Sequence, residues 1–270
     1  MKGDLYDEIG VSYRATREED PRLAAAIWSA LGDAQSVLNV GAGAGAYEPP
    51  DREVTAVEPS EVMIAQRREG AAPVARASAE ELPFPDNSFD AAMAVLTDHH
   101  WRDRRQGLRE LRRVARQRVV LFNADPAQAG RFWLTREYLP AFLSLIPDRY
   151  REVPDSWTLW FAEVLGGKLR VAPFPIPHDC RDGFYGAFWR RPEAYLDPEV
   201  RNGISIFSLL DARDVEAALA RLRGDLESGR WRQRHAALLG LSELDLGYAV
   251  VQVDLTPAPR LYPGTPPTGG

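Results

Sequence analysis

The sequence predicts an α/β fold in which a mostly parallel sheet of seven strands carries helices on both faces and is enlarged by long helical insertions. Three observations predict it. Short apolar runs alternate with amphipathic stretches along the chain. The first run leads directly into a Gly-x-Gly-x-Gly turn, Gly41 to Gly45. Two stretches, 126–167 and 181–240, far exceed the connections of about 2 to 6 residues that usually join strands to helices.

Residues 1–35 read as an N-terminal cap segment, followed by the core at 36–125. Strands are expected near 36–41, 53–58, 73–77, 89–96 and 117–123, each a β-branched or alanine-rich run bounded by turn residues. Between the first two, Pro49 and Pro50 follow the glycines so soon that any helix there is expected to be abbreviated. Arg104 to Arg116 spaces apolar residues at 108, 111, 114 and 115, a helix with one buried stripe and a basic, solvated outer face.

The segment 126–167 is expected as a first helical lid, 168–180 as a core segment with its strand near 168–174, 181–240 as a second lid, and 241–255 as the last core segment with its strand near 247–255. Asp211 to Ser228 is the clearest helix of the second insertion, with apolar positions 215, 218, 219, 222 and 226 and a stop at Gly229. The tail, 256–270, is rich in proline and glycine and is expected to be flexible.

The formal net charge of −6 argues against a nucleic-acid-binding face and for a small-molecule partner. A single cysteine, Cys180, and an N-terminus without an apolar signal core point to a cytoplasmic protein. No run approaches the roughly 20 apolar residues that span a bilayer. With four histidines and no Cys-x-x-Cys or His-x-x-x-His pair, no metal site is expected, although His178, Asp179 and Cys180 cluster potential ligands.

Gly41, Gly43 and Gly45 can adopt backbone angles closed to side chains, so that main-chain amides approach a ligand. The next apolar run ends on Glu58, whose carboxylate can accept hydrogen bonds from both hydroxyls of a ribose. The pair reads as a nucleoside site. Read as Gly41-x-Gly43-x-x-Ala46, the loop also fits a looser dinucleotide fingerprint, which keeps a nicotinamide- or flavin-dependent oxidoreductase as an alternative.

Residues Ala77 to Asp90, Ala-Ser-Ala-Glu-Glu-Leu-Pro-Phe-Pro-Asp-Asn-Ser-Phe-Asp, followed by the run Ala91 to Leu96, resemble the segment before the fourth strand of class I S-adenosylmethionine-dependent methyltransferases of the small-molecule, type 11 kind. Dehydrogenases have no counterpart to it. The resemblance covers residues 1–125 and implies a Rossmann-like sheet whose last strand runs antiparallel, with S-adenosylmethionine as cofactor and S-adenosylhomocysteine as product.

It further implies Gly41, Gly43 and Gly45 under the methionine part of the cofactor and Glu58 on the ribose. Ser78, Ala79 and Glu80 would border the adenine edge, with Met63 on the adenine face and Leu96 and His100 beside the cofactor. Many relatives carry Asp where this chain has Asn39, which keeps an acceptor and loses a charge. In the N-terminal segment, Tyr13 would close the methyl site and Arg14 would pair with the cofactor carboxylate.

Thr97 to Trp101 lies past the carboxyl end of the fourth strand, where ligands sit in open α/β sheets. His99 and Asp98, and Tyr13 through its hydroxyl, are therefore the candidate catalytic residues, His99 being able to take a proton near its ordinary pKa of about 6.5. Aromatic residues crowd both insertions, which favours an apolar or aromatic acceptor in a biosynthetic pathway. A protein that binds the nucleoside and methylates nothing is the remaining alternative.

Overall fold

The computed structural model describes residues 17–147 and 156–255. Seven strands, β1 (Ser36–Val40), β2 (Glu53–Val57), β3 (Val74–Ala75), β4 (Phe89–Val95), β5 (Ala115–Ala124), β6 (Lys168–Pro173) and β7 (Tyr248–Asp254), form one sheet in the order β3-β2-β1-β4-β5-β7-β6. β7 is antiparallel to both its neighbours, and the five strands before it in that order pair in parallel. The strand order reverses at β1, where β2 lies on one side and β4 on the other. A crevice opens there at the carboxyl ends of the strands.

The period of two along each strand builds a core on both faces. In β5, Val120 and Phe122 point to the face covered by helix α1 (Pro21–Ala30), which buries Leu23, Ala24 and Ile27 against them. Val119 and Leu121 point to the opposite face, under Leu108, Leu111 and Val114 of helix α3 (Arg104–Val114). A short helix α2 (Glu61–Ala65) follows β2, started by the Ser60 hydroxyl, which accepts from the Met63 amide.

Four local expectations change. Between β1 and β2, residues 41–52 contain no helix at all; Tyr47, at a left-handed φ of 63°, and the two prolines hold the chain as a loop. Helix α3 stops at Val114 because Ala115 already has strand angles. The basic face of α3 is not simply solvated: Arg113 donates to the Phe84 and Leu82 carbonyls, and with Arg116 of β5, which pairs with Asp90, it holds the 82–90 segment in place.

The fourth difference lies in 126–167. Helix α4 (Ser156–Leu165), expected as part of a lid, packs Trp157, Phe161 and Leu165 into the same core as α3. The stretch 126–147 is a series of short helical turns, two of 3₁₀ type (Pro126–Arg131 and Pro140–Leu145) on either side of a wider π turn (Leu134–Tyr138). It joins residues 176–246, including helix α5 (Ala212–Glu227), in an accessory helical layer continuous with the α1-side core. α5 follows its apolar stripe, burying Val215, Ala218 and Leu222, and the chain turns at Gly229 with φ of 73°. The tail, 256–270, and the N-terminal positions Tyr6, Tyr13 and Arg14 lie outside the described residues.

Candidate active site

β1 delivers the chain to the crevice, where Gly41, Gly43 and Gly45 all take left-handed angles, with φ of 68°, 52° and 89°. The Gly41 and Ala42 amides both donate to the Val57 carbonyl, at 2.9 and 3.0 Å, which fixes the loop against the end of β2. One residue on, Glu58 is buried and accepts from the Gly43 amide at 2.8 Å and the Ser60 amide at 3.0 Å. The carboxylate expected to meet the ribose and the glycine turn are thus held as one unit. A Cβ on Gly43 would come within 3.2 Å of the Met63 methyl, so Met63 packs directly beneath the loop.

We expect Glu58→Ala to weaken S-adenosylhomocysteine binding by about 1.5 to 3 kcal/mol, the scale of hydrogen bonds to a charged group. It also releases the Gly43 and Ser60 amides. Titration calorimetry on the folded variant checks this; unchanged affinity would remove Glu58 from the site.

Ala79 is buried among Val40, Val57 and Leu82. Ser78 is exposed. The Glu80 carboxylate accepts from the Asp103 amide at 3.1 Å, which docks this segment onto the start of α3. Asn39, buried at the end of β1, donates to Glu48 at 3.4 Å, and Glu48 is ion-paired with Arg67 at 2.7 Å. The acidic charge that Asn39 lacks is therefore present at Glu48, already neutralised by Arg67.

Two cavities meet at this point. A cleft of about 50 Å³ lies over the glycine loop, bounded by Asn39, Val95, Arg17 and Asp182. A second, of about 880 Å³, opens past the carboxyl ends of β4 and β5 between the sheet and the accessory layer. It is lined by Leu96, His99, His100 and Asn123, by aromatic side chains that include Phe132, Phe142, Trp160, Phe184, Tyr185 and Tyr248, and by charged residues that include Arg102, Arg105, Asp125 and Glu163. Among the described residues, Arg17 alone lines both.

Leu96 holds a left-handed φ of 52° while its amide donates to the Phe122 carbonyl at 2.8 Å, a strained conformation at the edge of the large cavity. The turn that follows separates the neighbouring candidates. Asp98 does not face the cavity: it is buried, its Oδ2 is paired with Arg104 at 2.5 Å, and its Oδ1 accepts from Asn123. As a catalytic base it is therefore corrected to an anchor, both oxygens being committed to cations and amides.

His99 is exposed, and its open surface lines the cavity. Desolvation by the surrounding protein, then the Arg104 and Arg17 charges, lower its pKa toward about 4, an effect that the open face of the ring tempers. His100, its ring centred 3.9 Å from that of His99 and tilted by 47°, is likewise held well below the ordinary histidine range, chiefly by burial. Both rings are neutral at pH 7, and the expected titration near 6.5 moves to the acid side.

Because these folded-state values lie below the unfolded value, the unfolded chain binds more protons as pH falls from about 6.5 to about 4, and stability declines across that window. Urea unfolding at pH 7 and pH 5 should show a smaller acid loss in His99→Gln than in wild type. An unaltered loss would mean that His99 is not kept neutral by its surroundings.

Tyr185 and Tyr248 are also buried groups whose pKa values rise by desolvation, so both phenols stay protonated. Of the possible metal ligands, Asp179 pairs with Arg22, and burial pushes the Cys180 thiol up to about 12. Among the described residues no group of three or more His, Cys, Asp or Glu side chains is placed to hold a metal.

Sequence reasoning missed Arg17, Tyr47 and Asp182. Arg17 and Asp182 form a two-point ion pair, Nη2 donating at 3.2 Å as well as Nε, and the Tyr47 hydroxyl donates to the same carboxylate at 2.8 Å. Only the distance between Gly45 and Pro49 hinted that Tyr47 would stay near the glycine turn; nothing in the sequence joins residue 17 to residue 182.

Comparison with known proteins agrees with this geometry. A family described as methyltransferase domain matches residues 38–122, the stretch from β1 to β5. The uncharacterised methyltransferase YcgJ of Bacillus subtilis (strain 168) is 34% identical over 115 residues, a match spanning 38% of this chain and 41% of that protein. The solved structure of a S-adenosylmethionine-dependent methyltransferase from Thermotoga maritima covers 93% of this chain and 99% of its own, at 16% identity and a TM-score of 0.51, which shows a shared fold.

A solved structure from Anabaena variabilis ATCC 29413, described as a candidate methyltransferase from an antibiotic biosynthesis pathway, is 35% identical, covers 89% of this chain and 99% of its own, and superposes with a TM-score of 0.79. The nicotinamide reading of the glycine loop falls to these matches. Over the sheet, the glycine turn and the insertions alike, the chain belongs to the class I S-adenosylmethionine-dependent methyltransferases.

Proposed function

We propose that the protein transfers a methyl group from S-adenosylmethionine to a small apolar or aromatic metabolite in a biosynthetic pathway, acting in the cytoplasm. The observation that carries this reading is the 880 Å³ cavity, whose surface is mostly apolar and aromatic, with charged side chains such as Arg102, Arg105, Asp125 and Glu163 also lining it. That volume suits a multi-ring molecule. A nucleic-acid acceptor would need an open basic face, and the chain is acidic overall. The biosynthetic setting is supported by the Anabaena protein, which is described as coming from an antibiotic biosynthesis pathway. Among the described residues no helix is long and apolar enough to cross a membrane.

In this reading the glycine-loop amides and Glu58 hold the nucleoside, with Met63 and Ser78 to Glu80 on the adenine side. The bound cofactor supplies an electrophilic methyl on a sulfonium. The chain's own largest contribution is orientation: holding the acceptor atom in line behind that methyl, with water excluded, is worth about 7 to 11 kcal/mol. Leu96 and the aromatic walls set that position. His99, neutral and facing the cavity, accepts a proton where the acceptor must lose one, and its lowered pKa keeps its contribution at the small end of the about 10² to 10⁴ that general bases supply. Tyr13, outside the described residues, is the second candidate for that end of the site.

The test is transfer of an isotopically labelled methyl into a cell extract that is then separated into protein, nucleic-acid and organic-soluble fractions. Label is expected in the organic-soluble small molecules. Label confined to RNA, DNA or protein would overturn the acceptor class, and cofactor binding without any transfer would favour a non-catalytic binding protein.

A further inference from the structure

Two phenols of the large cavity keep hydrogen-bonding capacity that the protein itself does not use. Tyr248 opens β7 and pairs with Ala124 at the carboxyl end of β5, the end of the sheet that carries the glycine turn. It is 6% exposed, packs against the rings of Phe122 and Phe184 at 5.8 and 4.8 Å, and lines the cavity. Its oxygen accepts from the Gly186 amide at 3.2 Å, and among the described residues nothing accepts its proton.

Tyr185, one residue before that amide, has the same imbalance. Its hydroxyl lies 3.0 Å from Thr135 Oγ1, a distance at which either oxygen can donate. Burial decides the direction. Thr135 is 0% exposed, and among the described residues the Tyr185 oxygen is the sole partner of its hydroxyl, so Thr135 donates and Tyr185 accepts. The Tyr185 proton is then left for the cavity that the ring lines. Desolvation raises both phenol pKa values, so neither proton is lost at neutral pH.

Both oxygens already accept from the protein, so what these side chains offer a ligand is two protons. A carbonyl oxygen, with two lone pairs and no proton, matches them; an ammonium or a plain hydrocarbon edge does not. A site built around such donors rejects analogues that lack the matching oxygen, because its buried polar groups are then left unpaired. We propose that Tyr185 and Tyr248 are specificity-determining residues that select a methyl acceptor with a hydrogen-bond-accepting oxygen on its ring system, such as a ring ketone. The inference rests on the reading of this cavity as the acceptor site and narrows the acceptor class within it.

Equilibrium dialysis with fluorenone and fluorene, in the presence of saturating S-adenosylhomocysteine, tests it. The two probes share one ring frame and differ by a carbonyl oxygen, so the ratio of their affinities cancels the general apolar affinity of the cavity. Tyr248→Phe should lower the fluorenone-to-fluorene ratio about tenfold, the fold-change of one hydrogen bond lost with its oxygen left unpaired, while S-adenosylhomocysteine binds as before. Tyr185→Phe should act alike, and stands in if loss of the Gly186 partner keeps the first variant from folding. A ratio that neither substitution moves would overturn the proposal and leave the cavity as an apolar acceptor site. Wild type that binds S-adenosylhomocysteine and neither probe would refute the acceptor-cavity reading, and this inference with it.

Discussion

Gly41→Val is expected to abolish measurable binding of S-adenosylhomocysteine while leaving much of the sheet folded. Gly41 sits at φ of 68°, and a Cβ there would lie 2.1 Å from Thr97 Oγ1 and 2.8 Å from its methyl. Left-handed strain costs about 1 to 3 kcal/mol, and forcing extra methyl groups into a packed contact costs about as much again. The chain can relieve this only by moving the loop or Thr97. Either escape damages the site, since Thr97 opens the turn that carries His99 and His100, the His100 amide donating to the Thr97 carbonyl at 2.9 Å. Gly224→Ala, in the middle of α5 with nothing within 4 Å of the added methyl, is the control. It should be neutral or stabilising by up to about 1 kcal/mol, since alanine is the better helix former. Calorimetry and thermal melting of the two variants side by side check the expectation; a Gly41→Val protein that binds as wild type would mean the loop is not held against Thr97.

The largest loss of stability is expected from Trp189→Ala, about 3 to 5 kcal/mol in urea unfolding. Trp189 is fully buried, its indole donates to the Ile176 carbonyl at 2.9 Å, and its own carbonyl accepts from the Trp133 indole at 2.8 Å. Trp133 in turn meets Trp231 and Tyr195 edge to face, at ring separations of 5.2 and 5.8 Å. Truncation leaves a large void at the centre of the accessory layer and strands the Ile176 carbonyl. Since Phe184 and Tyr185 of the large cavity belong to the same layer, methyl transfer should fall more than cofactor affinity does if the acceptor sits there. A cost below about 1 kcal/mol would show that the layer is not packed around this side chain.

The sheet was legible because its signals are local. Each expected strand falls within a few residues of the observed one, since a run such as Val54 to Val57 between turns has few other uses in a chain of this size. Gly41, Gly43 and Gly45 and the following Glu58 were legible for the same reason: strand, turn and carboxylate lie within one stretch of sequence. The loop after them was harder. Pro49 and Pro50 announced a shortened helix, but the loss of the helix altogether depends on Tyr47 being held by Asp182 and Trp28, from opposite ends of the chain.

What escaped is what long-range pairing decides. Asp98 looked like a free carboxylate beside a histidine, and only the fold brings Arg104 and Asn123 onto its two oxygens. The His99 pKa follows from enclosure and from the Arg104 and Arg17 charges, none of which its neighbours in sequence disclose. Helix α4 was read with the insertions because its Trp157, Trp160 and Phe161 match their aromatic composition, whereas packing places it on the sheet.

The central claim is that Gly41 to Gly45 and Glu58 hold S-adenosylmethionine. Titration calorimetry of the full chain with S-adenosylhomocysteine, NAD and NADP, run on wild type and Gly41→Val, tests it most directly. The account predicts one saturable site per chain for S-adenosylhomocysteine, lost in the variant, with no heat from either dinucleotide. Binding of NAD or NADP at that site, with no response to S-adenosylhomocysteine, would contradict it.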